Sequence, residues 1–287
     1  NRLPILFLPG DTYANRMPDP VLQQVEHFNN PGITQNDAFK PVTKYFDRIT
    51  RPEQILQTLP QAIQIMLDPA DCGPACLSLS QDVQGEIYEY PEEFFKERVH
   101  VIRRPRPDDF QIKEAAEKIK NSINPILISG GGVFYSDAMD DLSNFATKHN
   151  IPVTQTVMGY STMKRDHSHF VGPIGGLGGK AANNLAKKTD LAIAVGTKLA
   201  DFTTGSWANF ENPNFSLVNI NVSRFDANKH MARSVIGDAK VTLQELSNAL
   251  GNWKASNDWY DLSRKELNSW NEYVDKESGP TNQELPS

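Results

Sequence analysis

Several things are scarce or missing in this sequence, and each absence excludes something. No apolar run approaches the roughly 20 residues that span a bilayer, so a transmembrane helix is not expected. There are 2 cysteines in 287 residues. That is too few for a disulfide framework and fits a reducing cytoplasm. Lys and Arg number 29 against 35 Asp and Glu, a formal charge of -6, which argues against bulk attraction to nucleic acid. There is no Gly-x-Ser-x-Gly nucleophile elbow, no Walker phosphate loop and no repeat with a period of 20–50 residues. Hydrophobic residues make up 39% and charged residues 22%, so the chain can bury a core, and its length suits about two domains. Asn1-Arg2-Leu3-Pro4 leads straight into an apolar run without an initiator Met or signal peptide. The reading that follows is of an internal fragment of a larger polypeptide.

What is present is an alternation of apolar runs and amphipathic stretches. Ile5–Leu8, closed by Pro9-Gly10-Asp11, reads as a buried parallel strand opening into a loop. Asp19-Pro20 starts a short helix through Val21, Leu22 and Val25. Thr34–Phe39 reads as a second strand-to-loop passage. Thr50 and Glu53 have capping-box spacing around Pro52, ahead of a helix whose face is Ile55, Leu56, Leu59, Ile63, Met66 and Leu67. Pro60 should kink or divide that helix. Gly73-Pro74 introduces a strand, Ala75–Leu79. Residues 91–108 read as a linker, and Arg98, Arg103, Arg104 and Arg106 make it a solvated basic strap.

A second domain follows. Asp108 caps a helix with Phe110, Ile112, Ala115, Ala116 and Ile119 on its face. Strands are expected at Pro125–Ser129, Pro152–Thr156, Asp190–Gly196, Phe215–Val222 and Ser234–Ile236, and helices at Ser136–His149, Lys180–Lys188 and Thr242–Leu250. The fold class is therefore α/β, a Rossmann-like doubly wound parallel sheet plus part of a second α/β domain. Residues 253–277 carry scattered aromatics and suit a helix that docks on another surface.

Two glycine clusters stand out. Gly130, Gly131 and Gly132 close strand Pro125–Ser129, where open α/β sheets gather ligands or simply make a turn. Gly176, Gly178, Gly179 and Lys180 belong to a dense run ahead of a helix, read either as an anion cradle or as a tight packing loop. That run follows no clear strand, and Asp190 begins a strand where a dinucleotide fold would end one with an acid. Val195–Lys198 would be a third wall of the same crevice. Cys72 and Cys76 read as small buried thiols. His167 and His169 lie beside Asp166 without a third ligand, so no metal site is expected. Asp11, Asn36, Asp37 and Lys40 sit just beyond strand ends, where α/β folds place chemistry and where turns also favour Asp and Asn.

Longer runs carry a resemblance. Leu8-Pro9-Gly10-Asp11-Thr12, Pro18–Gln24, Asn36–Val42 and Asp47–Pro52 resemble the first domain of thiamine diphosphate enzymes. Ser80–Glu86 and Tyr90-Pro91-Glu92 narrow the likeness to the trihydroxycyclohexanedione hydrolases of myo-inositol catabolism, relatives of acetolactate synthase. Gly130–Val133, Gly175–Ala181, Asp201–Gly205 and Asn221–Asp226 are similar to the central domain of the same family.

This resemblance implies three domains in a parent protein. Residues 1–100 would be the C-terminal half of the pyrimidine-binding domain, 101–251 the central Rossmann-like domain, and 252–287 a connector toward a diphosphate-binding domain. It implies thiamine diphosphate and Mg in a cytoplasmic, homo-oligomeric parent that opens the ring of a cyclic polyol diketone. In such a parent the coenzyme would form an ylid, attack a carbonyl and stabilise the carbanion left by C–C cleavage. The family's activating glutamate and its Gly-Asp-Gly metal run are not found in the sequence, so no catalytic or metal-binding residue is assigned and the chain alone is expected to be inactive, holding no cofactor tightly. Asp11, Asn36, Asp37 and Lys40 are the expected edge of the substrate pocket. The glycine clusters would hold at most a small anion, although the central domain binds FAD or an ADP group in some relatives. A carboligase like acetolactate synthase and a nucleotide-binding module without enzyme activity are the alternatives; the Gln81–Glu86 run argues against the first.

Overall fold

The computed structural model describes residues 2–18, 20–21 and 27–279. The short helix expected from Asp19 to Val25 falls largely outside the described residues. The chain divides into two compact units, residues 1–103 and 104–287.

In the first unit the central strand is β4, Ala75–Ser80, and the chain pairs with it in parallel on both sides. On one side lies β3, Tyr45–Ile49. On the other lie β1, Leu6–Phe7, and β2, Gly10–Asp11. Leu6 pairs with Ala75 and Gly10 with Leu79, so β1 and β2 share one register and are a single strand interrupted at Pro9. Proline has no N–H to give the ladder. The helix α1, Ile55–Leu67, covers one face, where Ala62, Ala75 and Leu77 pack with Tyr45, Ile55, Leu59 and Met66.

Several local expectations change here. The run Ile5–Leu8 is not buried: Ile5 is 50% and Leu8 51% exposed, because β4 covers only one edge of this strand. Thr34–Phe39 is not a strand. Gln35–Val42 is a 3-10 helix capped by Thr34, with Asp37 closing a capping box. Strand β3 escaped the sequence reading because Asp47 and Arg48 interrupt its apolar pattern. The cap before α1 is made by Gln54 rather than Glu53; its Oε1 accepts the N–H of Thr50 at 2.7 Å and of Arg51 at 3.1 Å. Pro60 does not divide α1. Only one ladder bond is lost there, and packed residues on both sides hold the two halves in line.

The second unit is a six-stranded sheet, all parallel in its pairings. Its strands are β5 Pro125–Ser129, β6 Val153–Gln155, β7 Phe170–Pro173, β8 Leu191–Val195, β9 Ser216–Asn221 and β10 Arg233–Ile236. Their spatial order is β10-β9-β8-β5-β6-β7. This is the dinucleotide-fold order, in which the chain's direction of travel reverses between β5 and β8. Alternation along the strands divides the core between the two faces. Leu127, Ile193 and Val218 pack with residues of α2 (Asp109–Lys120), α4 (Met139–His149) and α8 (Ala239–Leu250). Ile126, Ile128, Ala192 and Ala194 pack with α5 (Lys180–Lys188) and with Trp259 of α9 (Asn257–Glu277).

Asp108 caps α2 as expected, accepting the N–H of Phe110 at 2.8 Å, but the Phe110 ring itself is exposed. The helix foreseen over Ser136–His149 starts later, as α4, and a short helix that was not foreseen, α3 (Gly131–Tyr135), precedes it. The docking helix, α9, settles on its own unit: Trp259 is buried and its indole N–H donates to the Pro125 carbonyl at 2.8 Å. Asn184 and Lys188 of α5 meet Glu266 at 2.8 and 2.9 Å. The basic run is exposed from Arg98 to Arg106, and two of its arginines are anchored, Arg104 to Asp238 at 3.1 Å and Arg106 to Glu245.

Near the start of α9 the buried His169 bonds Asn150 through Nε2 at 3.1 Å. Burial, then the positive charges of His167 and Arg264, push its pKa down to about 4. A histidine kept neutral in the fold costs stability once the unfolded chain takes up the proton. Denaturant titrations should therefore show the stability of this unit falling as pH drops from about 6.5 toward 4, by up to about 1.4 kcal/mol per pH unit from this residue. His169→Gln should flatten that slope.

Candidate functional site

The four polar residues singled out beyond the strand ends of the first unit come together, around a residue that the sequence reading did not single out. Arg48, on β3, points its guanidinium at two carboxylates. Its Nε donates to Asp11 at 2.7 Å and its Nη2 to Asp37 at 2.6 Å. Nη2 also reaches the Thr34 hydroxyl at 2.9 Å. Lys40 pairs with the other oxygen of Asp37 at 2.5 Å, and its ammonium lies 5.1 Å from the centre of the Phe46 ring. Asn36 donates to the Gly10 carbonyl and to the Ser78 hydroxyl, both at 2.8 Å, and Ser78 donates to Asp11. The ends of β2, β3 and β4 and the 3-10 helix after Thr34 are thus tied into one polar cluster.

The charges are settled by that geometry. Burial works against ionised Asp11, but hydrogen bonds from Ser78, Arg48, Thr12 and Thr34 outweigh it and hold the carboxyl below its usual range. Asp37 is also partly desolvated, yet Lys40, the Thr34 N–H and Arg48 hold it far below that range. Both are carboxylates at neutral pH, neutralised by two cations.

The candidates differ in what they can still do. Asp11 is 1% exposed in its side chain and saturated with donors. Asn36 is buried and spends its amide hydrogens inside the unit. Asp37 is 14% exposed and accepts from three groups. Lys40, at 53%, is the candidate that faces solvent. Read as a pocket edge, the four reduce to one outward donor held by three supports. Arg48 stood out only as part of the Asp47–Pro52 run that carries the family resemblance, and Ser78 and Thr34 carried no signal of a site.

The glycine clusters of the second unit behave differently. At the reversal point the loops after β5 and β8 meet backbone to backbone. Gly130 N–H donates to the Val195 carbonyl and Gly132 N–H to the Gly196 carbonyl, each at 2.9 Å. A Cβ on Gly132 would lie 2.6 Å from the Gly196 Cα. The third wall expected at Val195–Lys198 is present, and it is packed against the first. The run at 175–180 does follow a strand, β7, contrary to the sequence reading, and its amides are also spent. Gly176, Gly178 and Gly179 donate to the carbonyls of Phe202, Gly175 and Pro173 at 2.7, 2.9 and 2.8 Å. The packing reading thus accounts for these glycine amides; Lys180 begins α5 and is exposed.

Among the described residues no other cluster offers chemistry. Among the described residues no group of His, Cys, Asp and Glu could hold a metal ion. Cys76 is buried in β4 and Cys72 half-buried before it, both as free thiols. An open cleft of about 580 Å³ lies at the amino ends of the second sheet, and two of the acids that line it, Glu114 and Asp190, are already paired. Glu114 meets Arg233 at 3.0 Å, and Asp190 accepts the N–H groups of Ile123 and Asn124 at 2.8 Å.

Two outcomes follow for the glycines. Gly132→Ala must displace backbone and should cost on the order of 2 kcal/mol in chemical denaturation, whereas Gly176→Ala, with no atom nearer than 3.8 Å, should be within about 0.5 kcal/mol of the parent. Calorimetric titration with ADP or FAD should show no micromolar binding, since the amides of Gly130, Gly132, Gly176, Gly178 and Gly179 are already bonded to carbonyls.

Comparison with known proteins agrees with this architecture. Residues 112–246 match the central domain of the thiamine pyrophosphate enzymes. The chain is 51% identical over 246 residues to a 3D-(3,5/4)-trihydroxycyclohexane-1,2-dione hydrolase of Clostridium perfringens, covering 86% of this chain and 38% of that protein. It is 46% identical over 289 residues to the protein of that name from Clostridium tetani, covering 98% and 45%. With the one from Bacillus licheniformis the identity is 47% over 255 residues, covering 89% and 40%. The chain spans about two fifths of the length of these curated relatives. These names are the ones toward which the runs at Ser80–Glu86 and Tyr90–Glu92 pointed, and the chain belongs to the thiamine pyrophosphate enzymes, with residues 112–246 as their central domain.

Proposed function

We propose that the chain is part of a thiamine diphosphate-dependent hydrolase that opens the ring of a trihydroxycyclohexane-1,2-dione in myo-inositol catabolism. The observation that carries this reading is 46–51% identity, over 86–98% of the chain, to relatives of that name. Hydrolysis adds water across a C–C bond: the carbonyl carbon gains hydroxyl and becomes a carboxylic acid, and the other carbon gains hydrogen. The substrate is a small ring crowded with hydroxyl and carbonyl oxygens, so its recognition calls for hydrogen-bond donors. Lys40 supplies one, at the carboxyl ends of the first unit's strands, where α/β proteins bind ligands.

The residues present do not fit the diphosphate and metal end of the coenzyme. The sequence holds no Gly-Asp-Gly run, and the described residues hold no metal-ligand cluster. No chemical step is therefore assigned through the coenzyme here. The role of this chain is to frame the substrate, and thiamine diphosphate with Mg would be held by other parts of a cytoplasmic, homo-oligomeric full-length enzyme. No helix among the described residues is long and apolar enough to cross a membrane.

The test is kinetic, in the full-length protein carrying this sequence and supplied with thiamine diphosphate and magnesium. Ring opening of the dione supports the reading, and condensation of pyruvate to acetolactate instead would replace it with the carboligase. Lys40→Ala should lower kcat/KM about 10- to 100-fold, the range of one charged hydrogen bond. Unchanged kinetics would remove Lys40 from the pocket.

A further inference from the structure

Lys40 is a poor tool if left to itself. Its ammonium sits on a four-carbon stem with several rotatable bonds, and an exposed lysine keeps most of that freedom. Here two things hold it: one oxygen of Asp37, at 2.5 Å, and the face of Phe46. Asp37 is itself held. Its other oxygen accepts the Thr34 N–H at 2.7 Å and Arg48 Nη2 at 2.6 Å. The Arg48 guanidinium cannot swing, because its Nε is fixed on Asp11 at 2.7 Å and its carbon lies 5.9 Å from the centre of the same Phe46 ring.

The charge balance points the same way. Asp11 and Asp37 are within reach of one guanidinium, and without it two neighbouring carboxylates would stand against a single ammonium. One carboxyl would then take up a proton, or Lys40 would be drawn inward between them. With Arg48 in place two carboxylates meet two cations and the cluster is neutral. The cation left facing outward is Lys40, with 53% of its side chain exposed against 22% for Arg48.

We propose that Arg48 is a positioning residue for the ring-opening reaction: it fixes Asp37 and neutralises Asp11, and so sets the Lys40 ammonium where it meets a hydroxyl or carbonyl oxygen of the cyclic polyol dione. This rests on the reading of Lys40 as a substrate contact. Arg48 acts only through Lys40, so its effect must vanish when Lys40 is gone.

That dependence is the experiment, carried out in the full-length enzyme with coenzyme and magnesium. Arg48→Gln should raise KM for the dione on the order of tenfold with little change in kcat, and Arg48→Lys should recover part of the loss by restoring charge without the forked geometry. In a Lys40→Ala background Arg48→Gln should raise KM no further. An equal tenfold rise in that background overturns the proposal while leaving Lys40 in its role; an unchanged KM in Lys40→Ala alone defeats the underlying reading instead. If Arg48→Gln does not fold, Asp37→Asn decides the matter. It keeps an acceptor for Thr34 and removes the charge on which Lys40 rests, so it should raise KM similarly, and an unchanged KM overturns the proposal.

Discussion

A parallel strand has both faces to bury, because the helices that link it to its neighbours pack on both sides of the sheet. That constraint organises the second unit. Its strands read as near-continuous apolar runs, and the alternation within them sends Leu127 to one layer of helices and Ile126 and Ile128 to the other. Helix α9 belongs to this scheme. Its early residues complete the cover over Ile126 and Ile128, and Trp259 brings both an apolar surface and a donor for the carbonyl of Pro125. The first unit meets the same constraint only in part. Helix α1 covers one face, and the apolar residues of β1 remain accessible.

Within that first unit the polar chemistry is electrostatic and local. A guanidinium with fixed, forked donors is suited to binding two carboxylates at once. Placed on β3 it joins the end of β2 to the 3-10 helix after Thr34 and sets the protonation of both acids. The cluster is partly sheltered from water, so the loss of one member is felt by all. It does two jobs: it holds strand ends together, and it presents one cation outward.

Glycine plays a separate part in the second unit. At the reversal between β5 and β8, and again after β7, glycines let one main chain approach another. The approach is close enough that backbone amides and carbonyls satisfy each other directly. A glycine-rich turn at a strand end is equally suited to a phosphate or to a neighbouring loop, and the sequence pattern is the same for both. What separates them is whether the amides are already bonded.

How much was legible follows from this. The strands of the second unit were readable almost to the residue, as with Pro125–Ser129, because burial on both faces writes itself as a plain apolar run. The Asp108 cap and the helix at Lys180 were readable for local reasons. Strand β3 was hidden by Asp47 and Arg48, the second of which is the centre of the cluster, and β7 by its closing Gly-Pro. The sequence marked Asp11, Asn36, Asp37 and Lys40 as polar residues at strand ends, and the structure ties them into one polar cluster. The sequence by itself determined the α/β class and the family resemblance. Only the tertiary structure decided that Arg48 binds two acids 37 and 11 residues away, that Asn36 turns inward and Lys40 outward, and that the glycine amides are already spent. Each of these depends on which segments meet in space, and local pattern carries no record of that.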